Sequence, residues 1–150
     1  MIERPGTPAR IVGIDHGAKR VGLAVADPLR LFARPLGTFG PAEAVERLRR
    51  LHADEGIETV VVGWPLTPEG EEGAATRRVR PYVDRLRKAL PGVEVVTLDE
   101  RESSQRASEA LVGAGARHVA RRDKGRVDAA AAAIILQDYL DERAAAAGAP

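Results

Sequence analysis

The stretch IVGIDHGAKRVGLAVAD, residues 11–27, decides the fold. Residues 11–14 form a short apolar run that delivers an acid, Asp15, at its end, and residues 21–26 form a second run of the same kind. Apolar, β-branched runs bounded by turn residues read as strands. The stretch therefore predicts a strand, a turn over residues 16–20 and a second strand. Gly17 can take a positive φ in that turn, and Lys19 and Arg20 follow directly beside the acid. A carboxylate that leaves a buried strand between cations can hold a metal ion and the phosphates that accompany one. The same residues also describe a plain hairpin with Asp15 in an Asx-turn and two solvated cations. The choice between them depends on acids elsewhere in the chain.

Working outward, Asp27-Pro28 marks a turn, and residues 31–39 offer a third extended segment ending at Gly40-Pro41. Over residues 42–53, Val45, Leu48 and Leu51 recur at helical spacing with charges between them, which predicts an amphipathic helix ended by Glu55-Gly56. Residues 57–62 are apolar without alternation, as in a parallel strand buried on both faces. Gly63-Trp64-Pro65 turns the chain out of the sheet. Residues 67–73 read as an exposed loop. Val79, Val83, Leu86 and Leu90 predict a second helix, which Pro81 either interrupts or opens. Residues 93–98 are a further strand, ending in Asp99-Glu100-Arg101. Ser103 or Ser104 can cap another helix, residues 116–126 read as a mobile basic loop, and a last helix starts near Val127 with Asp128 in its first turn.

A meander followed by right-handed βα crossovers gives a mixed five-stranded sheet of order 3-2-1-4-5, second strand antiparallel, flanked by helices. That is a ribonuclease H-like α/β architecture. At 150 residues the chain has the size of one domain. The expectation is a single domain over residues 1–150 with a core of about 10–143. With 44% apolar but only 3% aromatic residues, the core must be built from Val, Leu, Ile and Ala. A net charge of +1 is no global nucleic-acid signature, so any basic surface must be local. The chain has no cysteine, which excludes thiolate metal sites, catalytic thiols and disulfides. No apolar run approaches the roughly 18 residues of a membrane span, and residues 1–10 lack the apolar segment of a signal peptide. A soluble, cytoplasmic protein is expected.

Under this topology Asp15, Glu100 and Asp128 share one edge of the sheet, the edge where open α/β sheets bind ligands. Such carboxylates can converge on two divalent ions roughly 3.5–4 Å apart, as phosphodiester hydrolysis requires. An all-oxygen site suits Mg²⁺ or Mn²⁺. Lys19, Arg20, Arg101, Lys124 and Arg126 flank the acids and are candidates for phosphate contacts. A P-loop is absent, because the glycine spacing from Gly17 to Gly22 is followed by Leu23.

The segments DHGAKRVGLAVAD (15–27), VVGWPL (61–66), DERESS (99–104) and KGRVDAAAAAIILQDYL (124–140) resemble the motifs of the YqgF family, also called RuvX-like. That family is described as Holliday junction resolvases and pre-16S rRNA nucleases. The resemblance spans about residues 10–140 and implies a ribonuclease H-like nuclease with Asp15, Glu100 and Asp128 as its acids. It implies a divalent-metal-dependent hydrolase acting on precursor 16S ribosomal RNA or on branched DNA. Its partners would be structured RNA or branched or single-stranded DNA, and a homodimer is compatible with the pattern. Ala26 stands where the family usually has serine, and Ser103 and Ser104 where it has threonines. The competing expectation is a nucleic-acid-binding factor of ribosome maturation or transcription that keeps the fold without cutting.

Overall fold

The computed structural model describes residues 8–99 and 124–148. β1 (Arg10–His16), β2 (Val21–Ala26) and β3 (Ala33–Phe39) run antiparallel in sequence. α1 (Pro41–Glu55) then carries the chain to β4 (Ile57–Trp64), which lies parallel to β1. α2 (Ala74–Ala89) leads to β5 (Glu94–Asp99), parallel to β4, and the last described helix is α3 (Lys124–Ala146). The sheet order is β3-β2-β1-β4-β5, as the meander-plus-crossover pattern predicts.

Strand alternation divides the core between the two faces of the sheet. Val12, Ile14, Val60 and Val62 pack on one face against Val45 and Leu48 of α1 and Val79, Val83 and Leu86 of α2. Ile11, Ala24, Ala26 and Val61 pack on the other against Ala132, Ile135, Leu136 and Leu140 of α3. Burial of a large aliphatic side chain stabilises by roughly 1.5–3 kcal/mol, so three such residues anchor α3. The sheet face beneath it carries small residues, which lets the helix come close. A Cβ on Gly13 would stand 2.7 Å from both the Ala132 carbonyl oxygen and Leu136 Cβ.

Local chemistry explains the boundaries. Gly56 closes α1 at φ 83, a left-handed value that suits glycine, and its N–H donates to the His52 carbonyl. The third strand begins at Ala33, not at 31, because Asp27 captures the residues before it. Its carboxylate accepts the N–H groups of Phe32 at 2.6 Å, Leu31 at 2.8 Å and Leu29 at 3.0 Å. These bonds, the one from Phe32 foremost, hold the Asp27 carboxyl below the ordinary carboxylate value. Gln137 of α3 fixes the same loop by accepting from Ala33 N–H and donating to the Leu31 carbonyl.

Three further expectations are corrected. Gly17 is not among the positive-φ glycines; its N–H donates to the Arg20 carbonyl at 2.8 Å, and a Cβ there would meet that oxygen. Pro81 neither opens nor breaks α2 but lies inside it, while Thr76 and Gly73 form the N-terminal cap. α3 begins at Lys124, so residues 124–126 are helical instead of loop, and Asp128 lies beyond the first turn. The helix dipole therefore lends Asp128 no support, since its effect fades after one turn. The expected helix after Ser103 or Ser104 and the rest of the basic loop lie outside the described residues.

Candidate active site

Asp15 is the penultimate residue of β1 and is buried, with 8% of its surface exposed. Ile11 belongs to the α3 side of the core and Gly13 touches α3, so period-2 alternation places Asp15 on that same face. Its partner in the antiparallel register is Gly22 on β2. A Cβ on Gly22 would lie 2.2 Å from the backbone oxygen of Asp128. α3 therefore crosses the sheet at Asp128 directly over the residue paired with Asp15. The Asp128 side chain turns toward the β1–β2 turn, with Oδ2 3.9 Å from where a Cβ on Gly17 would stand. Two acids distant in sequence thus lie at one edge and on one face.

The remaining candidates divide three ways. Lys19 and Arg20 are exposed in the turn that follows Asp15, beside the two acids. Lys124 and Arg126 belong to the first turn of α3, and nothing of their side chains is described. Glu100 and Arg101 lie outside the described residues, and among those described no group of three metal-ligating side chains gathers. The neighbouring acid Asp99 takes the other face: Val96 and Leu98 pack toward α3, so Asp99 shares its parity with Val95 on the α1 and α2 side.

The reading from sequence did not single out His16, which follows Asp15 and points to the opposite face. Its ring lies 4.7 Å from that of Tyr82 on α2, and Tyr82 donates its hydroxyl to the Pro41 carbonyl at 2.9 Å. Burial lowers the His16 pKa, a backbone hydrogen bond opposes that, and the charge of Arg78 lowers it further. Burial also pushes the Tyr82 hydroxyl up to about 12. The ring pair ties the end of β1 to α2. Gly22 was also passed over, although a glycine inside a strand signals a close backbone approach.

The family model described as "RuvX: Holliday junction resolvase" matches residues 9–142. The chain belongs to the RuvX family. Relatives include a protein of Salinibacter ruber named "Putative pre-16S rRNA nuclease", 57% identical over 133 residues, spanning 89% of this chain and 93% of that protein. A protein of Chlorobaculum tepidum with the same name is 49% identical over 132 residues, covering 88% of this chain and 93% of its own length. Among solved structures, T. thermophilus RuvC in complex with a Holliday junction substrate aligns with a TM-score of 0.55 at 22% identity, over 92% of this chain and 97% of that one. That likeness agrees with the ribonuclease H-like fold of the RuvX chain. The family is one of nucleases, hydrolases of phosphodiester bonds. No helix among the described residues is long and apolar enough to cross a membrane.

Proposed function

We propose that this RuvX chain is a divalent-metal-dependent nuclease that hydrolyses phosphodiester bonds in precursor 16S ribosomal RNA or in branched DNA. In this reading it acts in the cytoplasm as a single ribonuclease H-like unit. The observation that supports the reading is that Asp15 on β1 and the Asp128 backbone on α3 flank Gly22 on one face of the sheet edge. Glu100, which follows β5 in sequence, is the proposed third acid. Carboxylate oxygens fit a hard cation such as Mg²⁺ or Mn²⁺, and the chain offers no thiolate to compete. When bound, such ions supply Lewis-acid stabilisation of charge on the phosphoryl oxygens and a more acidic water.

The chain's own residues then hold and orient. Asp15 is fixed by a strand bonded on both sides, and Asp128 by a helix pressed onto that strand pair. Lys19 and Arg20 stand where the strand ends and supply charge for a phosphate backbone without reading its sequence. The buried setting of Asp15 keeps bulk water from screening it.

Replacing Asp128 by Asn tests the assignment. The residue lies beyond the first helical turn and the change is nearly isosteric, so the melting temperature should move by no more than a few degrees. Turnover on a four-way DNA junction and on precursor ribosomal RNA should fall by orders of magnitude, while binding survives or tightens because one repulsive charge is gone. Activity within a few-fold of wild type would remove Asp128 from the chemistry, and a wild type that binds both substrates but cuts neither with metal would put the non-cutting binding factor ahead.

A further inference from the structure

Resting on that nuclease reading, we propose that Arg77 and Arg78 at the start of α2 form a second phosphate-contacting surface, holding the nucleic-acid backbone where it passes over the sheet edge onto the α2 side. Both side chains are exposed. Among the described residues neither is paired with an acid, whereas Arg80 and Arg87 on the same helix are. Arg80 pairs with Glu72 and lies over the Trp64 ring, Arg87 pairs with Asp84, and Arg10, Arg30 and Arg143 pair with Glu55 or Glu58.

Their position connects them to the acids. Arg78 is four residues before Tyr82, so it lies on the same stripe of α2, one turn nearer the sheet edge. Tyr82 touches His16, and His16 adjoins Asp15 in β1. The charge of Arg78 is felt at the His16 ring. Asp15 and His16 point to opposite faces, so Arg78 and the carboxylates sit on either side of one strand end. A backbone gripped at Lys19 and Arg20 and continued across that end meets Arg77 and Arg78 next.

Local stability argues against these arginines being helix decoration. The first turn of α2 contains no acid. Arg77, in that first turn, faces the positive end of the helix, which disfavours a cation there, while Arg78 lies one residue beyond it. A sequence that breaks a local rule with no compensating ion pair does so most often where function requires it. An extended phosphate backbone is the partner that offsets both the dipole and the uncompensated charge.

The test is equilibrium binding of the full chain to a labelled four-way DNA junction and to labelled single-stranded RNA over a salt series, without divalent metal so that nothing is cut. Arg77→Gln/Arg78→Gln should lower affinity at low salt and flatten the slope of log K against log salt. The change should approach about 0.9 per lost phosphate contact on duplex and about 0.7 on single strands. Its melting temperature should hold or rise, since the helix N-terminus is relieved of charge. Arg49→Gln/Lys88→Gln removes the same charge from the groove between α1 and α2, away from the edge, and should leave the slope near wild type. A wild-type slope in the first variant, or equal flattening in both, overturns the proposal. Binding that changes as expected in a protein that cuts nothing with metal sinks the nuclease reading alone. Cleavage with an unchanged slope sinks this surface alone.

Discussion

Gly22 lacks a side chain at the place where the Asp128 backbone needs the room. A methyl group there would stand 2.2 Å from the Asp128 carbonyl oxygen and 2.4 Å from its carbon, closer than any real Cβ contact. In Gly22→Ala either α3 lifts at its start or β2 sinks, and overpacking of this kind costs about 1–3 kcal/mol. The melting temperature should fall by several degrees, at about 2–4 °C per kcal/mol for a domain of this size. Asp128 moves with α3, and misplacement of a reacting group by about 1 Å can cost about 100-fold in rate. Calorimetry together with a cleavage assay checks both. Full activity in a destabilised Gly22→Ala would separate Asp128 from the chemistry. Asp15 was legible in the sequence because it ends an apolar run just before a turn, and Asp128 because it stands near the start of an apolar helix. Gly22 carried the signal of a glycine inside a strand, but that its neighbour is α3, and that His16 meets α2, is encoded by no local pattern.

At the scale of elements, the order β3-β2-β1-β4-β5 was readable because each strand is an apolar run punctuated by Gly, Pro or Asp, and connection rules leave few topologies. Helix boundaries were harder. The α3 start was misjudged because Lys124, Gly125 and Arg126 carry no apolar periodicity, and the α2 start because Pro81 suggests a break. The structure shows how α2 tolerates it. Pro81 is exposed, and so is Arg77, the residue whose carbonyl it leaves without a helical donor; water can satisfy that carbonyl. Toleration still has a cost, about 3 kcal/mol for an interior proline, offset by the roughly 0.4–1 kcal/mol that proline contributes by restricting the unfolded chain. Pro81→Ala should therefore stabilise the protein by about 2–2.6 kcal/mol, read as a higher denaturant midpoint with unchanged slope. A lower midpoint would mean that the ring's packing against the groove it shares with Ala42 and Val45 outweighs the lost hydrogen bond.

The whole molecule is a sheet with two independent cores, and the candidate site lies where the smaller one reaches the edge. α3 is held to the sheet by Ile135, Leu136 and Leu140 over a floor of glycine and alanine. Asp15 and Asp128 stand on opposite sides of that seam, one on the sheet and one on the helix. A divalent ion held by both carboxylates would clamp α3 to β1 and β2. Metal should therefore act on stability as well as on cleavage. Ligand at about a hundred times its dissociation constant stabilises by about 2.7 kcal/mol, which at about 2–4 °C per kcal/mol is a rise of about 5–10 °C in melting temperature. In Asp15→Asn/Asp128→Asn the carboxylates that would hold the ion are gone, so Mg²⁺ or Mn²⁺ should leave its melting temperature unmoved. Neither apolar core contains the two acids, so chelation should lower the wild-type melting temperature without unfolding the protein at room temperature. A wild type indifferent to divalent ions, or a variant that gains as much from them, would place the metal elsewhere. Because the readout is thermal, it tests the carboxylate pair even if the true substrate is neither of the nucleic acids tried.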